Sequence, residues 1–529
     1  MPLISKVGRK RPRARFAIGV LYVLLCIGAV TMVYPFLLMV STGMKGPTDQ
    51  NDNLIVPAYL SDETELFRKF EDDKFGGNVE KLALIYGADE ALKVISTSKP
   101  ESFVPIEQLS DDEYERLEKF IGELKPHEWE AGFRGAMGRW GSKLATLYQD
   151  FLMSRYKSIR DLNAAYLEQH VFFQTVVPPL ERFGVKLWQP KLGRKWDDWM
   201  EFRQSLPVHF RIPITIELLF QGYLRSKYKN KFDAVPAELR AGRKDFTEVK
   251  PDPSSAEFQR FFAESLPEKL KTDSPDARWH ALTGDSHLAL ARYERTVVAR
   301  NASALRREYA GRNYTQVLDY VLLHGSAISN TVIFCILAVL TQLIVNPLAA
   351  YALSRYQLRS TSGILLFLLA TMAFPAEVTM IPGFLLLRDL GLLNTFAALV
   401  LPAAASGYSI YLLKGFFDSL PRDLFESGSI DGAREFTMFR RIAIPLSLPV
   451  LAVTALGAFV GAYGAFMYAF VVAQDQRMWT LMVWIYQLQT RAPKSTTMAA
   501  LTVAALPTFL VFLFAQRVIL RGIILPGEK

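Results

Sequence analysis

Apolar and charged positions are segregated along this chain rather than interleaved. Residues 16–40 carry no charge, and beyond about residue 325 further uncharged or nearly uncharged runs occupy 328–353, 362–387, 395–413, 444–473 and 496–515. At 1.5 Å per residue each is long enough to cross roughly 30 Å of hydrocarbon as a helix. The pattern therefore predicts an all-α membrane protein with six transmembrane helices. Several runs contain Pro or Gly, among them Pro347, Pro375, Pro382, Pro402, Gly457, Gly461, Gly464 and Pro507. Membrane bundles tolerate these where neighbours satisfy the freed backbone groups. The intervening segment 46–324 is rich in Lys, Arg, Asp and Glu. It reads as mainly helical, with Asp111-Asp112 ahead of a Glu/Lys/Leu pattern.

Composition agrees with this division, since half of the 529 residues are hydrophobic and 21% are charged. Such a chain is neither one compact domain nor wholly soluble. A net charge of +9 suggests nucleic acid until the basic residues are located. They cluster beside the apolar runs, beginning with Lys6, Arg9, Lys10, Arg11, Arg13 and Arg15, and so read as topology signals. Placing residues 1–15 in the cytoplasm puts 46–324 outside. Arg355 and Arg359, then Lys414, Arg422, Arg434, Arg440 and Arg441, and finally Arg517 and Arg521 then all fall inside. Both termini are expected in the cytoplasm of a bacterial cell. The first run is longer than a signal-peptide core and should remain as an anchor, although Ser41, Thr42 and Gly43 follow it. Cys26 and Cys335 both lie in apolar runs, so the soluble segment has no disulfide and no Cys-ligated zinc.

The loop 420–446, on the cytoplasmic side between the fourth and fifth runs, carries the most specific pattern in the chain. Glu426 is followed by Gly432, then Ile442 and Pro445, with Asp431-Gly432-Ala433 at the centre. This resembles the coupling loop of ABC importer permeases: Glu-Ala-Ala, three residues, Gly, nine residues, Ile-x-Leu-Pro. The spacing is intact, while Ser427-Gly428 replaces the Ala pair and Ile444 replaces Leu. A short helix, a glycine turn and a second short helix form a compact knob, with small residues 427 and 428 allowing close approach. Ala350-Tyr-Ala-Leu-Ser-Arg355, Gly391-Leu-Leu-Asn-Thr395, Pro35-Phe36 with Met44-Lys45, and Leu420-Pro421 extend the resemblance to the carbohydrate-uptake branch, of the maltose and glycerol-phosphate type. It covers the first run and about 200 residues from Asn330 onward.

The resemblance implies a type I importer fold and a non-catalytic subunit that docks an ATP-binding-cassette ATPase dimer, the partner that binds ATP and Mg. It also implies a second permease, more often a different chain than a copy, and an extracytoplasmic solute-binding protein as a further partner. No Gly-x-x-x-x-Gly-Lys-Ser/Thr phosphate loop occurs in the chain, so ATP hydrolysis is assigned to that partner. No cofactor, metal site or nucleic acid is expected, and membrane lipid is.

Candidate translocation-path residues are Glu377, Tyr463, Gly464, Phe466 and Tyr468. Glu377, the one acidic residue inside an apolar run, reads either as an interfacial carboxylate or as a solute contact. The aromatics read as sugar-stacking faces or as bundle packing. The stretch 463–466, Tyr-Gly-Ala-Phe, departs from the Trp-Asn-x-Phe of that branch. Trp479, Trp484 and Tyr486 suit an aromatic belt or a re-entrant loop.

An outward insertion of this size is the main departure from the family. Within it 151–157 is echoed by 223–229 and 202–207 by 262–267, suggesting repeated helical units. Residues 155–166 faintly resemble a stretch of some β-galactosidases, and Trp140, Trp196, Trp199 and Trp279 read as core aromatics before sugar platforms. The insertion is open to three readings: a dock for a binding protein, a built-in solute receptor, or a decoration. A membrane-anchored extracytoplasmic enzyme or sensor is the rival function for the whole chain.

Overall fold

The computed structural model describes residues 12–87, 91–93, 107–132, 143–170, 173–319, 326–356, 359–371, 373, 375–490 and 492–522. The basic cluster before Pro12, and Trp140, lie outside the described residues. The chain divides into two compact units, Met1–Tyr314 with Ala492–Ala499 and Thr315–Arg491 with Ala500–Lys529.

The first unit opens with α1 (Pro12–Gly43), whose apolar stretch is not buried by the rest of the chain. A helix that is apolar all round and uncovered by protein is a lipid-facing helix. Its outgoing end is tied down. Tyr314 Oη donates to the Val40 carbonyl at 2.8 Å, and Asn313 Nδ2 donates to the carbonyls of Gly43 (2.9 Å) and Lys45 (2.7 Å). A Cβ at position 43 would stand 2.5 Å from Tyr314 Oη, so only glycine fits there.

The rest of the unit is built on helices α2 (Glu63–Phe75), α3 (Val79–Tyr86), α4 (Asp111–Gly122), α5 (Lys143–Arg155), α6 (Ile159–Tyr166), α7 (Arg194–Ser205), α8 (Ile216–Lys227), α9 (Ala256–Glu264), α10 (Pro275–Thr283) and the long α11 (Leu290–Asp319). Their starts are encoded locally. Ser110 and Glu113 form a reciprocal capping box at α4, and Asp62, Ser158, Thr215, Ser255 and Ser274 each accept a first-turn N–H. The expectation of an all-α chain needs one correction. Trp129–Ala131 (β1) pairs antiparallel with Arg211–Pro213 (β2), Trp129 opposite Pro213. A tertiary ion pair secures this two-strand ladder. Arg203, fully buried, stacks its guanidinium 4.0 Å from the Trp129 ring, donates to the Trp129 carbonyl at 2.5 Å and pairs with Glu181 at 2.7 Å.

Trp199, Trp196 and Trp279 are buried in the main core with Phe67, Tyr148 and Phe202, while Phe220, Phe246 and Phe258 centre a second core. The echoed segments mark a shared way of leaving a helix. Leu206 and Leu266 are both buried, and Pro207 and Pro267 each begin the next short helical turn. The surroundings differ otherwise, Phe202 being 2% exposed and its counterpart Phe262 37%. The β-galactosidase-like segment also has a structural assignment. Arg155 (3.1 Å), Tyr156 and Tyr166 (3.0 Å) converge on the buried carboxylate of Asp198.

His209 lies against Phe70 and Phe210, and burial, aided by Lys74 and Lys143 and opposed by Glu308, pushes its pKa down to about 4. Below pH 6.5 the unfolded chain binds a proton at this position that the folded chain refuses until about pH 4. Stability therefore rises with pH across that window. We expect the melting temperature of the wild type to fall as pH drops from 6.5 toward 4, and His209→Gln to flatten that slope, read by calorimetry at half-unit steps.

In the second unit α12 (Ala327–Arg355) is continuous despite Pro347. The other expected spans here are more broken than the hydropathy pattern suggests. Residues 362–387 form two pieces, α13 (Thr361–Thr371) and α14 (Ala376–Asp389), with Pro375 leading into the second. Proline has no N–H to continue a helix and pushes the preceding residue out of the α region. The fourth run is α15 (Phe396–Val400) extending to Ala403, then α16 (Gly407–Asp418), bent by 49°. Asn346, fully buried in α12, accepts the Ser406 N–H at 2.9 Å in that break.

The fifth run, expected as one span over 444–473, is divided. A helical arm Glu435–Leu446 meets α19 (Leu448–Tyr463) at 81°, and α20 (Phe466–Val472) follows Gly464-Ala465. After α21 (Leu481–Gln489) comes α22 (Lys494–Gly522), the last described element. Among the described residues three helices are long and apolar enough to cross a membrane, or five if each bent pair is one span.

Candidate functional site

The loop 420–446 folds as a helical hairpin. Its first arm is α17 (Asp423–Ile430), containing Glu426, Ser427 and Gly428. Asp431 closes the helix, and Gly432 follows at φ +76°. The Gly432 N–H donates to the Ser429 carbonyl (3.1 Å) and the Ala433 N–H reaches back to the Gly428 carbonyl (2.9 Å). These two bonds with a left-handed residue between helix and exit constitute a Schellman motif, which a glycine adopts at no steric cost. The Asp-Gly-Ala core is thus the stop signal of the first arm.

The second arm starts at α18 (Glu435–Met438), continues through one widened π turn, Phe439–Ala443, which contains Ile442, and ends past Pro445. The arms pack where the sequence is smallest. A Cβ at Gly428 would meet the Met438 and Ile442 side chains at 3.4 Å, ordinary contact. Gly428→Ala is therefore expected to be tolerated and to raise helix stability by roughly 0.5–1 kcal/mol. A melting temperature at or above wild type checks this.

The hairpin rests on the end of α12. Tyr351 donates its hydroxyl to Glu435 Oε2 at 3.1 Å, and its ring packs on Phe439 (5.1 Å) and Phe417 (5.9 Å). One turn later Arg355 covers the buried Phe425 ring at 3.5 Å and donates to the Phe417 carbonyl at 3.2 Å. Phe425, Met438 and Ala443 share a core with Ala350, Leu413 and Leu451. In the sequence Arg355 marks topology, and both residues belong to the Ala350–Arg355 resemblance, but neither is given a task at the hairpin. Their spacing of four on one helix face was the available signal.

What the frame presents is a mixed tip. Glu426, Ser427, Asp431, Gly432, Arg434 and Glu435 are exposed, and so are the large apolar side chains Ile430 (86%) and Phe436 (66%). Apolar side chains left uncovered at a rigid, charge-rimmed tip are characteristic of a protein-docking face.

The path candidates are not gathered around one polar cavity. Tyr463 is buried and donates to the Ala504 carbonyl at 2.6 Å, and Tyr468 likewise donates to the Ala398 carbonyl at 2.6 Å. Gly464 ends α19, where a Cβ would lie 3.2 Å from the Val460 carbonyl. Phe466 packs on Phe470 and Tyr486. Glu377 falls in the first turn of α14, its side chain outside the described residues. Tyr463 lines a cavity of about 530 Å³ with Phe459, Cys335, Leu481 and Pro507, almost wholly apolar. Trp484 is buried, and the stretch before it is anchored by Asn330, whose Nδ2 donates to the carbonyls of Arg477 (2.7 Å) and Trp479 (3.1 Å).

Residues 345–525 match the family model described as the binding-protein-dependent transport system inner membrane component. The chain is 34% identical over 219 residues to the trehalose/maltose transport system permease protein MalG of Thermococcus litoralis, covering 40% of this chain and 78% of that protein. It is 31% identical over 216 residues to the polygalacturonan/rhamnogalacturonan transport system permease protein YtcP of Bacillus subtilis, covering 38% and 75%. A solved bacterial ABC transporter involved in import of the acidic polysaccharide alginate aligns with 39% of this chain and 78% of that chain, at 26% identity and a TM-score of 0.36.

Proposed function

The chain belongs to the carbohydrate-uptake permeases among the binding-protein-dependent transport system inner membrane components, and from that premise we propose that it conducts a sugar or related small polar solute inward, driven by a separate ATPase docked on the hairpin 420–446. The observation that carries the reading is the hairpin itself. Ile430 and Phe436 stand exposed between Glu426, Asp431 and Arg434 on a frame fixed by Tyr351 and Arg355. A rigid knob transmits a partner's movement, whereas a flexible linker absorbs it. Glu426 offers a carboxylate to a basic group of the ATPase. The hairpin lies on the cytoplasmic side in this reading and the segment 46–324 outside, with a second permease completing the conduit and a binding protein delivering the solute.

Affinity purification of the tagged full chain in mild detergent tests this, wild type against Glu426→Lys with Gly432→Asp. An ATPase that accompanies the wild type and is lost from the variant supports the docking role. Recovery of an otherwise intact complex with no ATPase from either form would replace it with the anchored enzyme or sensor.

A further inference from the structure

The outward segment contains a polar cavity of about 240 Å³ that neither the coupling hairpin nor the family match accounts for. It lies beside α8, which contributes Glu217 and Gln221, one turn apart on the same face. Both are buried, at 8% and 2% exposure. Gln221 is held by its amide nitrogen, which donates to the carbonyls of Thr247 (3.0 Å) and Val249 (3.2 Å), and its Oε1 has no hydrogen-bond partner among the described residues. Glu217 Oε2 is 2.9 Å from His287 Nδ1, both residues lining the cavity, and that carboxylate raises the pKa of His287.

The side chains specify the ligand by charge, size and polarity. Glu217 and Asp285 are offset by Arg292 and, when protonated, His287, so the lining carries little net charge and favours a neutral guest. The Glu217 carboxylate, one oxygen of which meets His287, is an acceptor on the cavity wall and so favours hydroxyl donors. Leu84, Leu218 and Leu288 supply the aliphatic wall on which the C–H face of a ring rests. The volume lies below the roughly 300–1,000 Å³ of drug-sized sites, suiting one ring rather than an oligomer. We infer that this cavity is a binding site for a single neutral hexose unit, held through its hydroxyls by Glu217 and His287. The site makes the outward segment a receptor in its own right. The inference stands on the cavity alone and does not depend on ATPase docking.

The test is calorimetric titration of the full chain in lipid nanodiscs, because maltoside detergents would themselves supply a sugar. The probes are glucose, galactose, mannose and N-acetylglucosamine, with glucuronate and maltotriose as charged and oversized controls. One hexose is expected to bind at one site, with Kd at least tenfold weaker in Glu217→Gln and heat lost in Ala291→Trp, which fills the lining. Each variant is first matched to wild type in melting temperature; if either fails to fold, Leu218→Phe narrows the same cavity and replaces it. Absence of heat from every neutral hexose up to 10 mM overturns the inference. So does a Kd unchanged by the cavity variants, which locates binding elsewhere, or preferential binding of glucuronate. None of these results bears on whether the hairpin retains an ATPase, so the two readings fail separately.

Discussion

Gly432→Val is expected to reduce ATPase bound per permease at least tenfold while leaving the chain folded and in the membrane. Position 432 sits at φ +76°, and nothing lies within 4 Å of where a Cβ would be. The defect is therefore conformational. Holding an L-residue in the left-handed region costs roughly 1–2 kcal/mol, more for a β-branched one. The hairpin escapes that cost by releasing the bonds from Gly432 to Ser429 and from Ala433 to Gly428, and the tip carrying Ile430 and Asp431 loses its shape. Since about 1.4 kcal/mol is a factor of ten in an equilibrium, a docked state that must hold this strain is weakened about tenfold. Quantitative co-purification reads it, and Gly432→Asn is the control, because asparagine visits this region at modest cost. Equal loss in both variants would mean that backbone conformation is not what the partner reads.

The largest stability effect is expected at Arg203→Met in the first unit. Arg203 is fully buried and Glu181, 5% exposed, is its partner at 2.7 Å. Glu181 also accepts from Trp199 Nε1 (2.7 Å) and the Ala131 N–H (2.9 Å), which fixes the carboxylate at the edge of β1. Burial raises the Glu181 pKa, and Arg203 is the largest influence lowering it again. Removing the cation strands a buried carboxylate, at a cost of about 3–5 kcal/mol. For a unit of this size that corresponds to a fall of roughly 4–8 °C in melting temperature. Adding Glu181→Gln to Arg203→Met should recover part of the loss, because the amide leaves no charge to bury and keeps acceptors for Trp199 and Ala131. Calorimetry of the full chain in nanodiscs measures both, and a single variant melting within 2 °C of wild type would show that water reaches Glu181.

Several features were legible because they are encoded within a few residues. The acidic first turn at Asp111-Asp112, the glycine turn at 432 and the uncharged runs at 16–40 and 328–353 depend on neighbours in sequence, and the structure realises each. The interruptions at Pro375 and in the arm around Pro445 were less legible. Hydropathy averages over a window and registers neither a missing N–H nor an 81° bend. The loop motif, by contrast, is identified through its resemblance to the permease coupling loop, and the structure shows what lies between Glu426 and Gly432: the end of one short helix and its cap.

By itself the sequence determined the division into apolar runs and a charged segment at 46–324, the acidic start at Asp111-Asp112 and the glycine turn at 432. Each follows from local hydrophobicity, capping or a required φ. The tertiary structure alone decided that Tyr351 and Arg355 brace the hairpin, that Arg155, Tyr156 and Tyr166 serve a buried Asp198, and that Glu217, Gln221 and His287 share a cavity. Those groups come from separate helices and loops, 70 positions apart for Glu217 and His287. They meet because each buried charge or unpaired polar atom must find a partner that only the packed fold supplies.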